Sequence, residues 1–326
     1  MKVHLDQKYK FYSKKTISVI ITSYNQVDYL KEAINSVLYQ TYSPYEIIIC
    51  DDGSQDSSCD LIREYESNFP NIIKGIFHKE NLGISKNRNS GLNAVTGEYV
   101  TWLDGDDIFF PRKLELELDK ISTSENIKWV YSQVIHIDIE NHTLYKRYQQ
   151  FHDGLIFYKV ISLFGFAPRN PLVDFNSLKS IGFFDETMEM YEDFDLCLRL
   201  SCYFNCLYCS QPLLGYRIHA NGIHKSVNQR HIENYNILRK NLNTLLKKSN
   251  VTNQKEYEKL FLFCPTSIHI LSKNDLEFNH RFRLIKRAFT CFFIFPRFFI
   301  KSRLHRYLIK VFFPKYILTR LENKYS

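Results

Sequence analysis

The amino-acid sequence predicts an α/β protein built on a doubly wound, mostly parallel sheet, with a helical, basic and aromatic extension at its C-terminal end. Two observations carry the first part. Short β-branched runs alternate with stretches whose apolar residues follow helical spacing, and carboxylates gather where those runs end. The third observation is a change of composition after about residue 228, where the pattern turns helical and polar and then basic and aromatic.

Ile17 to Thr22 (ISVIIT) is a continuous apolar run of the kind buried on both faces of a parallel sheet, and it stops at the turn-prone SYNQ. Leu30, Ala33, Ile34, Val37 and Leu38 then keep helical spacing until Ser43 and Pro44 break it. Glu46 to Cys50 (EIIIC) is a second buried strand ending in Asp51-Asp52-Gly53-Ser54. The alternation continues with a helix from about Asp56 to Phe69, a strand near Ile73 to Phe77, a helix from about Ser85 to Ala94, and the strand Tyr99 to Leu103. Such alternation is the mark of βαβ units. Further on, the pattern predicts a helix at about Arg112 to Ser122, a strand at Trp129 to Asp138, loops around Pro168 and Pro171, a helix starting near Glu192 and a strand at Cys206 to Tyr208. Domain boundaries follow at 1–228 for the sheet domain and 229–326 for the extension.

With 326 residues, 44% hydrophobic and 24% charged, the composition is that of an ordinary globular chain. The first fifteen residues carry no apolar run or small-residue cleavage site, which predicts a cytoplasmic chain whose eight cysteines are thiols. Cys206 and Cys209 have a C-x2-C spacing that zinc uses, but no second such pair accompanies them, so burial as small apolar residues is the expectation. The net charge of +8 is uneven: residues 281–326 hold twelve Lys or Arg against the single acid Glu322, which leaves −3 for the rest of the chain. A basic tail does not make the sheet domain a nucleic-acid binder. The tail's longest uncharged run, Ala288 to Pro296, is far short of the roughly 20 residues that span a bilayer. Its alternation of phenylalanine with cations suits a membrane surface, or packing against the protein itself or a second subunit.

In open α/β sheets ligands settle beyond the carboxyl ends of the strands. Here those ends carry Thr22 and Tyr24, Asp51 and Asp52, and the trio Asp104, Asp106 and Asp107 of YVTWLDGDDIFFP. Two unit charges about 4 Å apart repel by about 4 kcal/mol at the effective dielectric of a protein surface, so the trio calls for a cation or full solvation. Neither a G-x-G-x-x-G after the first strand nor a P-loop is available to hold phosphate. A hard divalent ion held by Asp-x-Asp would serve instead.

The segments SVIITSYNQVDYLKEAINSVLYQTYSPYEIIICDDGSQDSS, NLGISKNRNSGLNAVTGEYVTWLDGDD and GFFDETMEMYEDFDLCLRL together closely resemble the family 2 glycosyltransferases, inverting nucleotide-sugar enzymes with a GT-A fold. The resemblance covers Ile17 to about His224. It implies that Thr22 and Tyr24 line a uridine pocket, that Asp52 accepts from the uracil N–H, and that Lys86, with Arg88 and Asn89, forms a polar patch near the nucleotide. Asp51 and Asp52 also suit a turn and helix cap. Asp106 becomes the principal ligand of Mn2+ or Mg2+. Asp104 contacts the ribose or the metal's water shell, Asp107 binds donor-sugar hydroxyls or caps the following turn, and His219 completes the metal shell or binds phosphate, His224 lying nearby. Asp193 becomes the general base for the acceptor hydroxyl, Glu192 orients the base or the acceptor, and Gly182 to Glu186 floor the acceptor site, while helical geometry turns Asp195 away, to cap the helix or pair with Arg199 at i+4. The implied partners are a nucleotide-sugar donor, a saccharide or lipid-linked saccharide acceptor of surface polysaccharide synthesis, and a membrane surface met from the cytoplasmic side by residues 281–326, with no nucleic acid. A nucleotidyltransferase on a similar sheet and a catalytically silent assembly protein are the competing readings.

Overall fold

A computed structural model of the chain describes residues 15–146, 152–162, 168–219, 229–249 and 254–263. Its first part follows the alternation read from the sequence: β1 (Ile17–Ser23), α1 (Val27–Leu38), β2 (Glu46–Asp51), α2 (Ser58–Asn68), β3 (Ile73–Phe77), α3 (Ile84–Ala94) and β4 (Tyr99–Asp104). Then come β5 (Ile108–Phe109), α4 (Lys113–Ile121), β6 (Ile127–Ile137), β7 (Thr143–Lys146), α5 (Phe157–Ser162), β8 (Leu172–Asp174), α6 (Phe175–Ile181), α7 (Glu192–Tyr203), β9 (Asn205–Arg217), α8 (Gln229–Lys248) and α9 (Gln254–Phe263).

The strands form one sheet in the order β3-β2-β1-β4-β8-β6-β9-β5, with β7 on β6. From β3 to β4 every pairing is parallel. From β8 onward the pairings are antiparallel, so the sheet is mixed, with its parallel half at the N-terminal end. Residues of β1 divide between the two faces. Ile17, Val19 and Ile21 share a buried cluster with Leu30, Ile34 and Val37 of α1 and Ile62 of α2. Ile20 faces the other way, onto α3: a Cβ on Gly91 would stand 2.6 Å from Ile20 and 3.0 Å from the Cys50 sulfur. Right-handed crossovers require this arrangement, since β1-β2-β3 progress one way and β4 returns to the far side of β1.

The chain divides into two compact units. The first comprises Met1–Phe151, Asn170–Phe183 and Leu207–His219, and the second His152–Arg169, Phe184–Cys206 and Ala220–Ser326. This division crosses the boundary at residue 228 suggested by composition, because α7 shares its contacts with α5 and α8, and α9 packs on both α5 and α8. The second unit has its own core, with Leu196, Leu200, Leu238 and Leu242 buried and Tyr235 stacked on Phe261 at 5.4 Å. The basic tail 281–326, His224 and Phe166 lie outside the described residues. Among those described, no helix is long and apolar enough to cross a membrane.

One buried pair lies away from the strand-end carboxylates. Lys113 and Glu117 of α4 are fully buried, with Nζ 2.7 Å from both carboxylate oxygens. Lys113 also donates to the carbonyl of Asn170 at 2.9 Å, a residue in the left-handed region (φ 49). Burial lowers the lysine pKa and raises that of the glutamate, while the charge of each opposes the shift of the other. Lys113→Met is expected to cost about 3–5 kcal/mol, because it strands a buried carboxylate, whereas Lys113→Met/Glu117→Leu recovers most of the loss. Urea unfolding of the three proteins checks this; a double variant no better than the single one overturns it.

The candidate nucleotide and acceptor sites

The strand ends meet as the sequence suggests. β1 lies between β2 and β4, with Ser23 opposite Asp51 and Thr22 opposite Asp104. Thr22 donates to Asp104 Oδ1 at 3.3 Å, and Arg88 Nη2 reaches the same oxygen at 2.6 Å. Arg88 is buried, so Asp104 is neutralised from within. Lys86, on the same helix, is exposed. The basic group that the structure brings to the acidic turn is therefore Arg88. The signal was present: Arg88 falls on the sheet-facing stripe of α3 with Ser85, Gly91 and Leu92, and a buried arginine requires a carboxylate.

The turn after β4 is tied to both neighbours. Gly105 N–H donates to Thr22 O at 2.8 Å, and a Cβ at this position would come 2.8 Å from both that oxygen and Gln26 Oε1. A glycine therefore separates the two aspartates. Asp106 Oδ2 lies 3.0 Å from His219 Nε2. Burial, then the charge of Asp104, pushes the Asp106 carboxyl above its usual range, and the His219 hydrogen bond pulls it back only in part. The His219 ring packs on Tyr29 with centroids 5.0 Å apart.

Asp107 turns inward. At 1% exposure its Oδ1 accepts the main-chain N–H of Arg217 at 2.9 Å, so the carboxylate fastens the turn to β9. Arg217, absent from the sequence reading, is the other half of that joint. Its Nε donates to Asp106 O at 2.8 Å, its Nη2 to Glu32 at 2.9 Å, and its guanidinium sits 5.0 Å over the Tyr29 ring. Nothing local in YRIHANGIHKS marks it, because all these partners are distant in sequence.

Asp52 accepts Leu82 N–H at 2.8 Å on one oxygen and Gly83 N–H at 3.0 Å on the other. It thus clamps the entry to α3 and retains one further lone pair on each oxygen. Asp51 takes the turn role, accepting Ser54 N–H at 2.8 Å and the Ser54 hydroxyl at 2.6 Å. Asn25, in the left-handed region (φ 52), stitches the two loops together by donating to Ser54 Oγ and accepting from Gln55 N–H, each at 2.8 Å. Beside them Tyr24 is 45% exposed, a ring face open to a planar partner.

In the second unit, Glu192, Asp193 and Asp195 occupy the first turn of α7, where the helix dipole favours carboxylates. Asp193 is half-buried and its Oδ1 accepts Phe194 N–H at 2.7 Å. Glu192 is buried. Asp195 forms the expected pair with Arg199, at 2.9 Å, and lies inside at 3% exposure. Asp185 of the GFFDE segment accepts from Thr187 and from Asn241. The Cys206 thiol donates to Gly154 O and that of Cys209 to Gln211 Oε1, and burial raises both thiol pKa values. These are packed thiols, as expected.

Among the described residues, no three His, Cys, Asp or Glu side chains are grouped to hold a metal. Asp106 and His219 nevertheless offer one oxygen and one nitrogen that converge. The ionised form of the partly buried Asp106 carboxylate is disfavoured by desolvation and by its acidic neighbour, which a divalent ion would relieve. Two protein donors suit an ion whose remaining positions go to phosphate and water. Asp104, already neutralised by Arg88, fits an outer position better.

The model of glycosyl transferase family 2 matches residues 18–191. An uncharacterized glycosyltransferase of Rickettsia typhi is 30% identical over 231 residues, which is 68% of this chain and 70% of that protein. Another, from Nostoc, is 46% identical over 123 residues, covering 38% of this chain and 37% of that one. Among solved structures, Staphylococcus aureus TarS superposes with a TM-score of 0.59 at 18% identity, covering 77% of this chain and 44% of TarS. TarS 1-349 in complex with UDP-GlcNAc gives the same TM-score, 0.59, at 17% identity, over 80% of this chain and 72% of that one. A parallel βαβ half continued by an antiparallel half is the GT-A arrangement that this chain shares with these structures. The chain belongs to glycosyl transferase family 2 and is a glycosyltransferase by that membership.

Proposed function

We propose that the chain moves a sugar from a nucleoside-diphosphate sugar, with UDP as the nucleotide, to a hydroxyl of a saccharide or lipid-linked saccharide, inverting the anomeric configuration. The observation that carries the donor half is the Asp106–His219 pair beside an Asp104 already neutralised by Arg88, all at the carboxyl ends of β1 and β4 and near the exposed Tyr24. TarS, which shares the fold, has been crystallised with UDP-GlcNAc, and this makes UDP the first nucleotide to test.

Asp106 and His219 would hold Mn2+ or Mg2+, which supplies charge neutralisation for the departing diphosphate. Tyr24 stacks on the uracil, Asp52 offers its spare lone pairs to the ring N–H, and Thr22 and Asp104 face the ribose. Asp193 takes the proton of the acceptor hydroxyl, whose oxygen forms a bond to the anomeric carbon from the face opposite the nucleotide. The bond from that carbon to the β-phosphate oxygen breaks, its electron pair leaves with UDP, and the proton passes from Asp193 to solvent. Glu192 orients the base or the acceptor. The basic, aromatic residues 281–326 attach the enzyme to the inner face of a membrane carrying the acceptor, which places the reaction in surface polysaccharide synthesis.

Nucleotide release from a panel of UDP- and GDP-sugars, each with and without Mn2+, tests this reading. Mn2+-dependent UDP release is the expected result. Pyrophosphate release would indicate a nucleotidyltransferase, and no release from any donor would leave a silent assembly protein.

A further inference from the structure

The acids that the reaction needs in the second unit are held from outside the stretch that matches the family model. That stretch ends at residue 191, whereas α8 begins at Gln229. The Asn234 side chain, only 4% exposed, accepts two consecutive main-chain N–H groups through one oxygen, Glu189 at 2.8 Å and Met190 at 3.1 Å. Tyr191 comes next, at φ 64 and ψ 13, a left-handed conformation that is strained for a non-glycine residue. The Tyr191 hydroxyl meets His231 Nδ1 at 2.8 Å. The next two residues are Glu192 and Asp193. One turn further along α7, Asn241 donates to Asp195 at 3.2 Å and to Asp185 at 2.7 Å.

His231, Asn234 and Asn241 are spaced three and seven apart, so a single face of α8 makes every one of these contacts. The face grips 185, 189–191 and 195, and so takes hold of the chain on both sides of Glu192-Asp193. A strained residue persists only where its surroundings over-determine it, and Tyr191 is fixed by main-chain bonds before it and a hydroxyl bond at its tip. Two of the three polar groups are buried amides or bond to buried acids, an arrangement expensive to maintain unless its geometry serves a purpose.

We infer that α8 is a positioning element of the acceptor site: Asn234, with His231 and Asn241, sets the left-handed turn at Tyr191 that aims the Asp193 carboxylate at the acceptor hydroxyl. This rests on Asp193 as the base. The extension after residue 228 is then part of the catalytic apparatus, and chains that match the family only as far as residue 191 would need another device at this place. Asn234, His231 and Asn241 act through Asp193 and touch no reacting atom.

The test uses the full chain with Asn234→Leu, which keeps the branched outline and removes the acceptor oxygen, and Asn234→Asp, which keeps an acceptor oxygen in place. Hydrogen exchange at the amides of Glu189 and Met190 reads the brace directly. UDP release from UDP-GlcNAc and UDP-Glc, with water as acceptor, reads its consequence. Asn234→Leu should accelerate exchange at both amides by about 100-fold and lower kcat by about 10-fold or more, with the donor KM unchanged. Asn234→Asp should stay within about threefold of the parent in both measurements. If Asn234→Leu is too unstable to assay, Tyr191→Phe removes only the hydroxyl facing His231 and should lower kcat without moving the donor KM. Parent-like exchange and turnover in Asn234→Leu overturns the inference, as does an Asn234→Asp as impaired as the leucine variant. Asp193→Asn separates the two readings. Full turnover in Asp193→Asn sinks the base assignment, whereas an inactive Asp193→Asn beside an unimpaired Asn234→Leu sinks only the role of α8.

Discussion

Replacing Asp193 with asparagine is expected to lower sugar transfer by about 10²–10⁴-fold, equivalent to about 3–5 kcal/mol of transition-state stabilisation, and to leave UDP affinity unchanged. The substitution is nearly isosteric, and the asparagine carbonyl can still accept the Phe194 N–H that Asp193 Oδ1 takes at 2.7 Å. The fold around α7 therefore has no reason to change, and the loss would be chemical: an amide cannot take a proton from a sugar hydroxyl at neutral pH. In the proposed function donor binding falls to Thr22, Tyr24, Asp52 and the Asp106 turn, all in the first unit, whereas Asp193 belongs to the second. Calorimetry with UDP and a turnover assay on the same preparation separate the two. Turnover within about tenfold of the parent would remove Asp193 from the mechanism.

How much of this was legible in the sequence depended on how local each signal is. ISVIIT and EIIIC are buried on both faces, so unbroken apolar runs identified β1 and β2 without help from neighbours. β5 and β8 have only two and three residues, too short for any periodicity. Their existence depends on partners far along the chain, Gly215 and Leu214 for β5, Tyr99 and Trp129 among others for β8. β5 and β8 were hidden for that reason, whereas β6 and the start of β9 were read from the sequence.

The site divides along the same line. Carboxylates at strand ends are visible because βαβ alternation says where strand ends go. Which carboxylate faces the ligand is not, since it depends on what each oxygen already bonds. The sequence leaves Asp107 between sugar hydroxyls and a turn cap, and the bond from Arg217 N–H, 110 residues later, gives its oxygen a structural partner. It leaves Asp52 between a nucleotide ligand and a cap, and Leu82 and Gly83 place two N–H groups on it. Lys86 and Arg88 are two residues apart on one helix, and only the packing of α3 against the sheet decides which of them enters. α8 is the extreme case. Its Asn234 is an unremarkable residue in a polar helix, and its partners are main-chain groups with no signature in the sequence.

Asp106→Ala is expected to abolish the Mn2+-dependent part of UDP binding, a loss of about 100-fold or more in affinity, or about 2.8 kcal/mol. In the ligand-free protein burial and the Asp104 charge both oppose ionisation of the Asp106 carboxylate, and the His219 hydrogen bond and a main-chain N–H offset them only in part. The sign matters. A carboxyl whose pKa is raised on folding favours the folded state only at low pH, and that contribution is lost as pH rises through the folded pKa. Ionisation of Asp106 therefore costs the folded protein, and a bound cation would return that cost as binding energy. Asp106→Asn keeps the shape and an acceptor for His219 without the charge. It should leave the ligand-free protein at least as stable to heat at pH 7 while losing Mn2+-dependent UDP binding as fully as the alanine variant. An asparagine variant that melts well below the parent would show the carboxylate to be structural. One that binds UDP with undiminished Mn2+ dependence would place the ion elsewhere, with Asp104 the next candidate despite its bond to Arg88.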